Sequence, residues 1–195
     1  MKKITTLLVL MLALAACSTG RNTAPRNMEN ACSILRERPH YAKAFSRAER
    51  KWGIPVSSQM AMIYQESRFK SHARPPKRYF LFIIPRGRAS SARGYAQVID
   101  GTWSEYKRSA GRWGARRENI RDAADFIGWY TAESARSLGI SKRDTRAQYL
   151  AYHEGRTGYR RGSHNSKGWL LSVANAVDAR ARRYESQLSS CRRLL

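Results

Sequence analysis

The sequence predicts a mainly α-helical domain with a small β or loop insertion. After about residue 38, apolar residues recur at three- and four-residue spacing, which is the period of an amphipathic helix. Strand-like runs are scarce, and the clearest one, residues 79–84, lies among several prolines. Hydrophobic residues make up 42% of the 195 residues, which is enough for a core and argues against disorder.

The first residues have the pattern of an export signal. Two lysines precede an apolar run over residues 4–14, which is too short to span a bilayer as a helix. Small residues and then Cys17 follow the run, and this resembles a bacterial lipobox. The resemblance implies a signal peptide over residues 1–16 and a lipid on Cys17. An ordinary signal peptide with an unmodified Cys17 is the alternative.

Residues 17–37 are expected to comprise the lipidated Cys17 and a tether, of which residues 18–30 are the polar part. The domain is then expected over residues 38–195. Because no second long apolar segment follows, we expect a lipid-anchored protein rather than one that spans the membrane. Ser18 replaces the Asp that usually retains bacterial lipoproteins at the inner membrane. The predicted location is the periplasm-facing cell envelope, with the outer membrane as the hypothesis.

Two further cysteines, Cys32 and Cys191, lie near the two ends of the predicted domain. In an oxidising periplasm such a pair is expected to form a disulfide. Two free buried thiols are the alternative.

The chain is strongly basic, with 37 Lys and Arg against 14 Asp and Glu and a formal net charge of +23. Such a surface attracts acidic lipids, cell-wall polymers or nucleic acid. The sequence contains no zinc-finger spacing, aromatic RNA-binding signature or basic zipper, and an export signal argues against a nucleic-acid partner. The predicted partners are therefore anionic polymers of the envelope, with no nucleic acid.

Helix-opening and helix-ending residues divide the domain. The predicted helices run from Pro39 to a stop at Gly53, from Pro55 through Glu66, from a cap at Asp100 or Thr102 to near Gly111, from Asn119 to Gly139, from 147 to 153 after a cap at Asp144, and from about 169 to 188. Residues 73–93 are basic and rich in proline, which predicts an inserted loop or small β-element. Residues 155–168 are predicted to form a loop that begins at Gly155.

The sequence contains no pattern typical of a metal site or of a catalytic Ser or Cys nucleophile. The four His, at positions 40, 72, 153 and 164, include no helical ligand pair, so we predict neither a metal site nor a cofactor. The chain has no Gly-x-Ser-x-Gly elbow, and its cysteines are otherwise assigned, so acyl transfer is unsupported. Carboxylates remain as the candidates for catalysis.

Glu66 is the most informative carboxylate. It continues the apolar stripe of its helix, three residues after Ile63 and four after Met62. Burial and the negative end of a helix both raise a Glu pKa, and an acid of raised pKa can protonate a leaving glycosidic oxygen. Arg68 and Lys70 act in the opposite direction, so an ion pair at the helix rim is the alternative.

Three short motifs follow one another in the chain: Glu66-Ser67-Arg68-Phe69, then Gly94-Tyr95-Ala96-Gln97, then Ala151-Tyr152-His153-Glu154-Gly155. Over roughly residues 38–185 their order resembles the soluble lytic transglycosylases and their goose-type lysozyme relatives. The resemblance implies a lysozyme-like helical fold and peptidoglycan glycan strands as substrate. It also implies cleavage of the β-1,4 bond between N-acetylmuramic acid and N-acetylglucosamine.

By the same resemblance, Glu66 is a single acid and base. It protonates the leaving oxygen and then deprotonates the muramyl 6-hydroxyl, which attacks the anomeric carbon and leaves a 1,6-anhydro product. The resemblance assigns substrate contacts to the matching positions Ser67, Tyr95, Gln97, Tyr152, His153 and Glu154. It also implies that the Tyr152 hydroxyl orients the acid.

Two of the motifs depart from the family pattern. Tyr95-Ala96 replaces the common Leu-Met, and His153-Glu154 replaces Asn-Ala. We expect Glu154 to be solvated at a helix end, but beside the substrate it would activate water and give a hydrolysed product.

Without the order of the three motifs, the expected interpretations are a turn-capping amide for Gln97 and, for Tyr152, a core tyrosine with its hydroxyl at the surface. The alternative function is a catalytically idle peptidoglycan-binding or scaffolding lipoprotein on the same fold.

Overall fold

A computed structural model describes residues 23–80 and 84–195. Its elements in chain order are α1 (Ala31–Glu37), α2 (Pro39–Trp52), α3 (Val56–Ser67), β1 (Lys77–Phe80), β2 (Ile84–Arg88), α4 (Asp100–Ser109), α5 (Ile120–Leu138), α6 (Thr145–Arg160), α7 (Gly168–Ser189) and a final 3-10 helix (Arg192–Leu194). Helices dominate the described chain, so the predicted mainly α class is confirmed. The predicted signal peptide, Cys17 and residues 18–22 of the tether lie outside the described residues.

Local sequence fixes most of the helix ends. Helix α2 ends at Gly53, whose left-handed φ of 76° suits glycine. Helix α5 begins after Asn119, whose side chain accepts a hydrogen bond from the backbone, and it ends at Gly139. The Asp144 side chain caps α6 in the same way. These predicted stops and caps are confirmed.

Helix α1 was not predicted, because residues 31–37 were assigned to the tether. The Asn30 side chain caps the helix, and Ile34 and Leu35 are buried in the core. The backbone N–H of Ala31 also donates to the Gln187 side chain of α7, at 2.8 Å. The folded part of the chain therefore begins before residue 38, because this short helix has α7 to pack against.

Two other boundaries differ from the predicted ones. Ile99 rather than Asp100 or Thr102 occupies the cap position of α4. Helix α6 bends at Gly155 (φ 73°, ψ 157°) and continues to Arg160, where a loop was predicted. Arg156 holds the added turn, since its guanidinium lies 4.8 Å from the Tyr130 ring centre and donates to Glu105 at 2.8 Å.

Helix α3 lies at the centre of the fold. It packs on α7, while α2 packs on α5, and α6 contacts both α5 and α7. The sequence predicted an apolar stripe on α3, but the helix is buried along its whole length from Val56 to Tyr64. Two of its buried polar side chains have partners in the core: Ser58 hydrogen-bonds Thr145 at 2.7 Å, and Gln59 donates to the Ile54 carbonyl at 2.8 Å.

The predicted β-element within residues 73–93 is confirmed as a hairpin. Strands β1 and β2 pair antiparallel, with Lys77 opposite Arg88 and Phe80 opposite Ile84. The described part of the chain contains no helix that combines the length and the apolar character needed to cross a membrane.

The predicted disulfide is also confirmed. Cys32 of α1 is bonded to Cys191, which follows α7, and their Cα atoms are 6.1 Å apart. The bond joins positions separated by 159 residues, so it ties the two ends of the described chain together. Glu29 reinforces the junction through ion pairs with Arg180 and Arg183 of α7.

Candidate functional site

A cavity of about 710 Å³ lies where the end of α3, the turn before α4 and the bend of α6 meet. Its lining includes Glu66, Pro75, Gln97, Thr102, Phe126, Tyr130, Tyr152, His153 and Glu154. The three sequence motifs therefore converge on one concave site, although they are far apart in the chain.

Glu66 is the penultimate residue of α3 and reaches the cavity from the core. Its carboxyl group accepts a hydrogen bond from the Tyr149 hydroxyl. Desolvation raises the pKa of Glu66 to about 7, against the smaller opposite effect of this hydrogen bond. With that pKa, the carboxyl group is able both to donate and to accept a proton near neutrality.

The ion pair considered as the alternative for Glu66 is not formed. Among the described residues, no Lys or Arg makes a salt bridge to Glu66. Arg68 follows the helix with a left-handed φ of 51°, which directs its side chain to Tyr64. Its guanidinium lies 4.5 Å from the Tyr64 ring centre and donates to the Tyr64 hydroxyl.

Tyr149 supplies the hydrogen bond that the sequence interpretation gave to Tyr152. The Tyr152 hydroxyl instead donates to the Ala96 carbonyl, so this side chain ties α6 to the turn before α4. Both residues lie on α6, and Tyr152 still lines the cavity. The side chain that hydrogen-bonds Glu66 is therefore that of Tyr149.

Gln97 lines the cavity and caps its own turn at the same time. Its side-chain N–H₂ donates to the carbonyls of Ala73 at 2.9 Å and Gly94 at 2.8 Å. The residue has a left-handed φ of 46°, a conformation that costs energy for a residue with a side chain. Gln97 therefore caps its turn while part of the residue lines the cavity; the substrate contact predicted for it stays a prediction.

The turn that carries Gln97 is held by Arg117. A Cβ on Gly94 would lie 2.3 Å from the Arg117 carbonyl oxygen, so the close approach of these backbones requires glycine. The Arg117 side chain is 3% exposed and pairs with Asp100 at 2.7 Å. The Arg117 backbone thus packs against the turn that carries Gln97, and its side chain ties this segment to the first residue of α4.

Ser67 and Tyr95 do not line the cavity, contrary to the substrate contacts predicted for them. The Ser67 hydroxyl is buried and donates to the Ile63 carbonyl at 3.1 Å. Successive helix residues point about 100° apart, so Ser67 faces the core when Glu66 faces the cavity. Tyr95 is also buried, with its hydroxyl 2.9 Å from that of Tyr41.

Glu154 lies at the cavity. It was predicted to be solvated, but only 5% of its side chain is exposed. The Lys167 ammonium lies 2.9 Å from both carboxylate oxygens, the Ser163 hydroxyl donates to one, and His153 lies 3.1 Å from the other. Hydrogen bonds from Ser163 and Lys167 lower the pKa of Glu154 to about 2. Its carboxylate is therefore ionised, and both oxygens are engaged.

Sequence reasoning missed three aromatic residues of the site. Phe126 and Tyr130 line the cavity from α5, and Tyr149 binds Glu66 from α6. A signal was present in each case: Phe126 and Tyr130 are four residues apart, and Tyr149 precedes Tyr152 by three. Both spacings place side chains on one face of a helix.

Within residues 23–80 and 84–195, no group of three or more His, Cys, Asp and Glu side chains lies close enough to hold a metal ion. The described site offers a protonatable carboxyl, an ionised carboxylate with both oxygens engaged, aromatic walls, and the polar side chains of Gln97, Thr102 and His153.

Comparison with protein families gives one finding that bears on this site. The model of the family described as transglycosylase SLT domain matches residues 5–191, which include all three motifs and both cysteines of the disulfide. Comparison with curated proteins gives no match.

Proposed function

The chain belongs to the transglycosylase SLT domain family, and on that premise we propose that it cleaves the β-1,4 bond between N-acetylmuramic acid and N-acetylglucosamine to leave a 1,6-anhydromuramyl end. The family acts on peptidoglycan in the cell envelope as a glycan-cleaving lytic transglycosylase. One observation carries the finer proposal: Glu66 reaches the cavity with a pKa raised to about 7 by desolvation.

In the first step, protonated Glu66 donates its proton to the glycosidic oxygen as the bond to the muramyl anomeric carbon breaks. The leaving sugar departs as an alcohol, and Glu66 becomes a carboxylate. The acetamido oxygen of the substrate stabilises the positive charge that develops at the anomeric carbon. Because the substrate supplies this group, the reaction needs no second carboxylate from the protein.

In the second step, the Glu66 carboxylate removes the proton of the muramyl 6-hydroxyl. The oxygen attacks the anomeric carbon, closes the 1,6-anhydro ring and returns Glu66 to its protonated form. No water is consumed. Tyr149 supports both steps, since its hydroxyl fixes the carboxyl group and stabilises the ionised form between them.

The environment of Glu154 favours the anhydro product over hydrolysis. A water-activating base needs a free oxygen and a pKa near the working pH. The Glu154 oxygens accept hydrogen bonds from Lys167 and Ser163, and its pKa is lowered to about 2. The mass of the released muropeptide tests this point, because an anhydro sugar is lighter than its hydrolysed form by one water.

The decisive experiment is digestion of purified sacculi by the wild type and by Glu66→Gln. The substitution removes the proton donor at nearly constant shape, so we expect the rate to fall by about 10³-fold. Glu185→Gln is the matched control, because it makes the same Glu-to-Gln exchange on α7 at a side chain that is 61% exposed. Full activity of Glu66→Gln would disprove the role of Glu66.

A catalytically idle wall-binding or scaffolding lipoprotein is the competing proposal. It predicts that the wild type binds sacculi in a pelleting assay but releases no soluble muropeptide. Release of 1,6-anhydro products by the wild type would exclude it.

The attachment to the membrane is a separate proposal, based on the lipobox-like sequence before Cys17. We propose that a lipid on Cys17 holds the domain at the periplasmic face of the outer membrane. Membrane fractionation of cells that express the wild type or Cys17→Ala tests this. Recovery of the wild type from the inner membrane alone would refute outer-membrane sorting.

A further inference from the structure

Trp169 is an exposed aromatic side chain beside the cavity. It lies in the first turn of α7, and 58% of the residue is exposed. A tryptophan presents up to about 250 Å² of mostly apolar surface, so this degree of exposure calls for an explanation. Among the described residues, Trp113 is more exposed, at 68%, but unlike Trp169 its ring makes no contact with an aromatic residue of the cavity lining.

The ring of Trp169 continues the wall of the cavity outwards. Its centre lies 5.2 Å from that of His153, and the two rings meet edge to face at 77°. His153 lines the cavity together with Glu66, whereas Trp169 lies just beyond it. A polymer that leaves the cavity along this side would therefore pass from His153 to Trp169.

An ionic clip fixes the two rings relative to each other. Glu154 accepts hydrogen bonds from Lys167, two residues before Trp169, and its Oε1 atom is 3.1 Å from His153 Nδ1. Ser163 completes the clip from the intervening loop. The bend of α6 and the start of α7 are thus joined before any ligand arrives, and such preorganisation lowers the entropy cost of binding.

The chemistry of this surface fits a sugar ring. A hexopyranose has an apolar face of C–H groups and a rim of hydroxyl groups, and an indole matches the first while polar atoms match the second. When His153 Nδ1 donates to Glu154, its Nε2 atom is left as an acceptor for a hydroxyl. The Lys167 side chain, 40% exposed, adds a donor at the same rim.

We infer that His153 and Trp169 form a platform for an N-acetylhexosamine ring of the glycan strand, adjoining the cavity that contains Glu66. Glu154, Lys167 and Ser163 are positioning residues for this platform. The inference rests on the proposed function, because it takes the same glycan as the ligand. It also gives the departure from the family pattern at His153-Glu154 a role in substrate binding rather than in proton transfer.

The test measures binding in the Glu66→Gln background, so that no cleavage occurs during the measurement. Isothermal titration with oligosaccharides of alternating N-acetylglucosamine and N-acetylmuramic acid, from two to eight sugars, gives the affinity at each length. Trp169→Ala should weaken binding of the longest oligosaccharide about tenfold, because the variant loses the apolar contact between the indole face and the sugar ring. Binding of the disaccharide should change little, and Trp169→Phe should restore most of the affinity.

Trp113→Ala is the matched control, because it also removes an exposed tryptophan. It should bind all lengths like its Glu66→Gln parent. Thermal unfolding should show equal stability for both alanine variants, since neither side chain is buried.

Equal affinity of Trp169→Ala and its parent at every length would overturn the platform, and so would an equal loss in Trp113→Ala. Absence of glycan binding by the parent would overturn it as well. The result is separable from the proposed reaction, which is tested by wild-type release of anhydro muropeptides. If the wild type is inactive but Trp169→Ala still causes the length-dependent loss of binding in the Glu66→Gln background, the platform is retained and the proposed reaction is refuted.

Discussion

At the scale of single residues, the pKa of Glu66 connects stability with catalysis. Desolvation raises this pKa from its ordinary value of 4.5 to about 7 in the folded protein. Between pH 4.5 and about pH 7, the folded state binds more protons than the unfolded state, so the free energy of unfolding decreases as the pH rises. The stabilisation is present below about pH 4.5 and is lost as the pH passes through about 7.

The first prediction concerns Glu66→Gln and stability. Glutamine stays neutral, so the variant does not lose stability when Glu66 would ionise. We expect it to be more stable than the wild type by about 1–3 kcal/mol at about pH 8 and nearly equal to it at about pH 4. Urea denaturation at both pH values measures the difference, and an equal difference at the two pH values would contradict the assigned pKa.

The second prediction separates the two tyrosines of α6. The hydrogen bond from Tyr149 lowers the pKa of Glu66, so Tyr149→Phe should raise it. The descending limb of the pH–rate profile, expected near pH 7 in the wild type, should then move to higher pH, with about a tenfold lower kcat.

Tyr152→Phe is the comparison variant, because the Tyr152 hydroxyl donates to the Ala96 carbonyl. Its loss should leave the descending limb where it is. A shift of the limb in Tyr152→Phe but not in Tyr149→Phe would support the role implied by the family resemblance instead.

At the scale of elements, the site depends on how the ends of helices and turns are fixed. Glu66 comes from the end of α3, and Gln97 from the turn before α4. That turn is placed by the contact of Gly94 with the Arg117 backbone and by the pairing of Arg117 with Asp100. Gly94, Asp100 and Arg117 do not line the cavity, but they help to determine its shape through the position of this turn.

The third prediction tests this contact with Gly94→Ala. Gly94 has a φ of 77°, and its Cβ would lie 2.3 Å from a backbone oxygen, so neither strain nor overlap can be relieved by a side-chain rotation. We expect a loss of about 3 kcal/mol or more in the free energy of unfolding, together with reduced activity.

Gly111→Ala is the control for Gly94→Ala. Gly111 has a φ of 61°, but a Cβ there would meet no atom within 4 Å. Only the conformational strain remains, and the expected loss is about 1 kcal/mol. Equal losses in the two variants, measured by chemical denaturation, would show that the contact with Arg117 is unimportant.

At the scale of the whole molecule, the two ends of the described chain form one structural unit. Helix α1 packs beside α7, and the disulfide between Cys32 and Cys191 closes a loop across 159 residues. Cross-linking positions so far apart restricts the unfolded chain by an amount worth about 5 kcal/mol at this loop length. The bond stabilises the core on which α3 and the cavity depend.

The fourth prediction is that a Cys32→Ser, Cys191→Ser double variant loses about 5 kcal/mol in the free energy of unfolding. A thiol reductant should lower the midpoint of thermal unfolding of the wild type and leave the double variant unchanged. Equal midpoints for the wild type with and without reductant would show that the bond does not contribute to stability.

The sequence predicted those parts of the fold that depend on neighbouring residues. Gly53 and Gly139 end helices, and Asn119 and Asp144 cap them, because a glycine or a capping side chain acts within one turn. The spacing of Glu66 to Ile63 made its burial plausible, whereas its assignment as the acid came from the resemblance carried by the three ordered motifs. Helix α1 was missed, since seven residues form a stable helix only when another element packs on them.

The amino-acid sequence predicted the mainly α class and the Cys32–Cys191 disulfide, and the ordered motifs predicted Glu66 and Gln97 as candidate site residues, because each of these features leaves a local or ordered pattern in the chain. Helix packing places Tyr149 rather than Tyr152 against Glu66, turns Ser67 and Tyr95 towards the core, and brings Lys167 to Glu154. These outcomes depend on the rotation of each helix and on which side chains meet across elements. A hydrogen bond between α3 and α6 is a property of their packing, and no pattern within either helix specifies it.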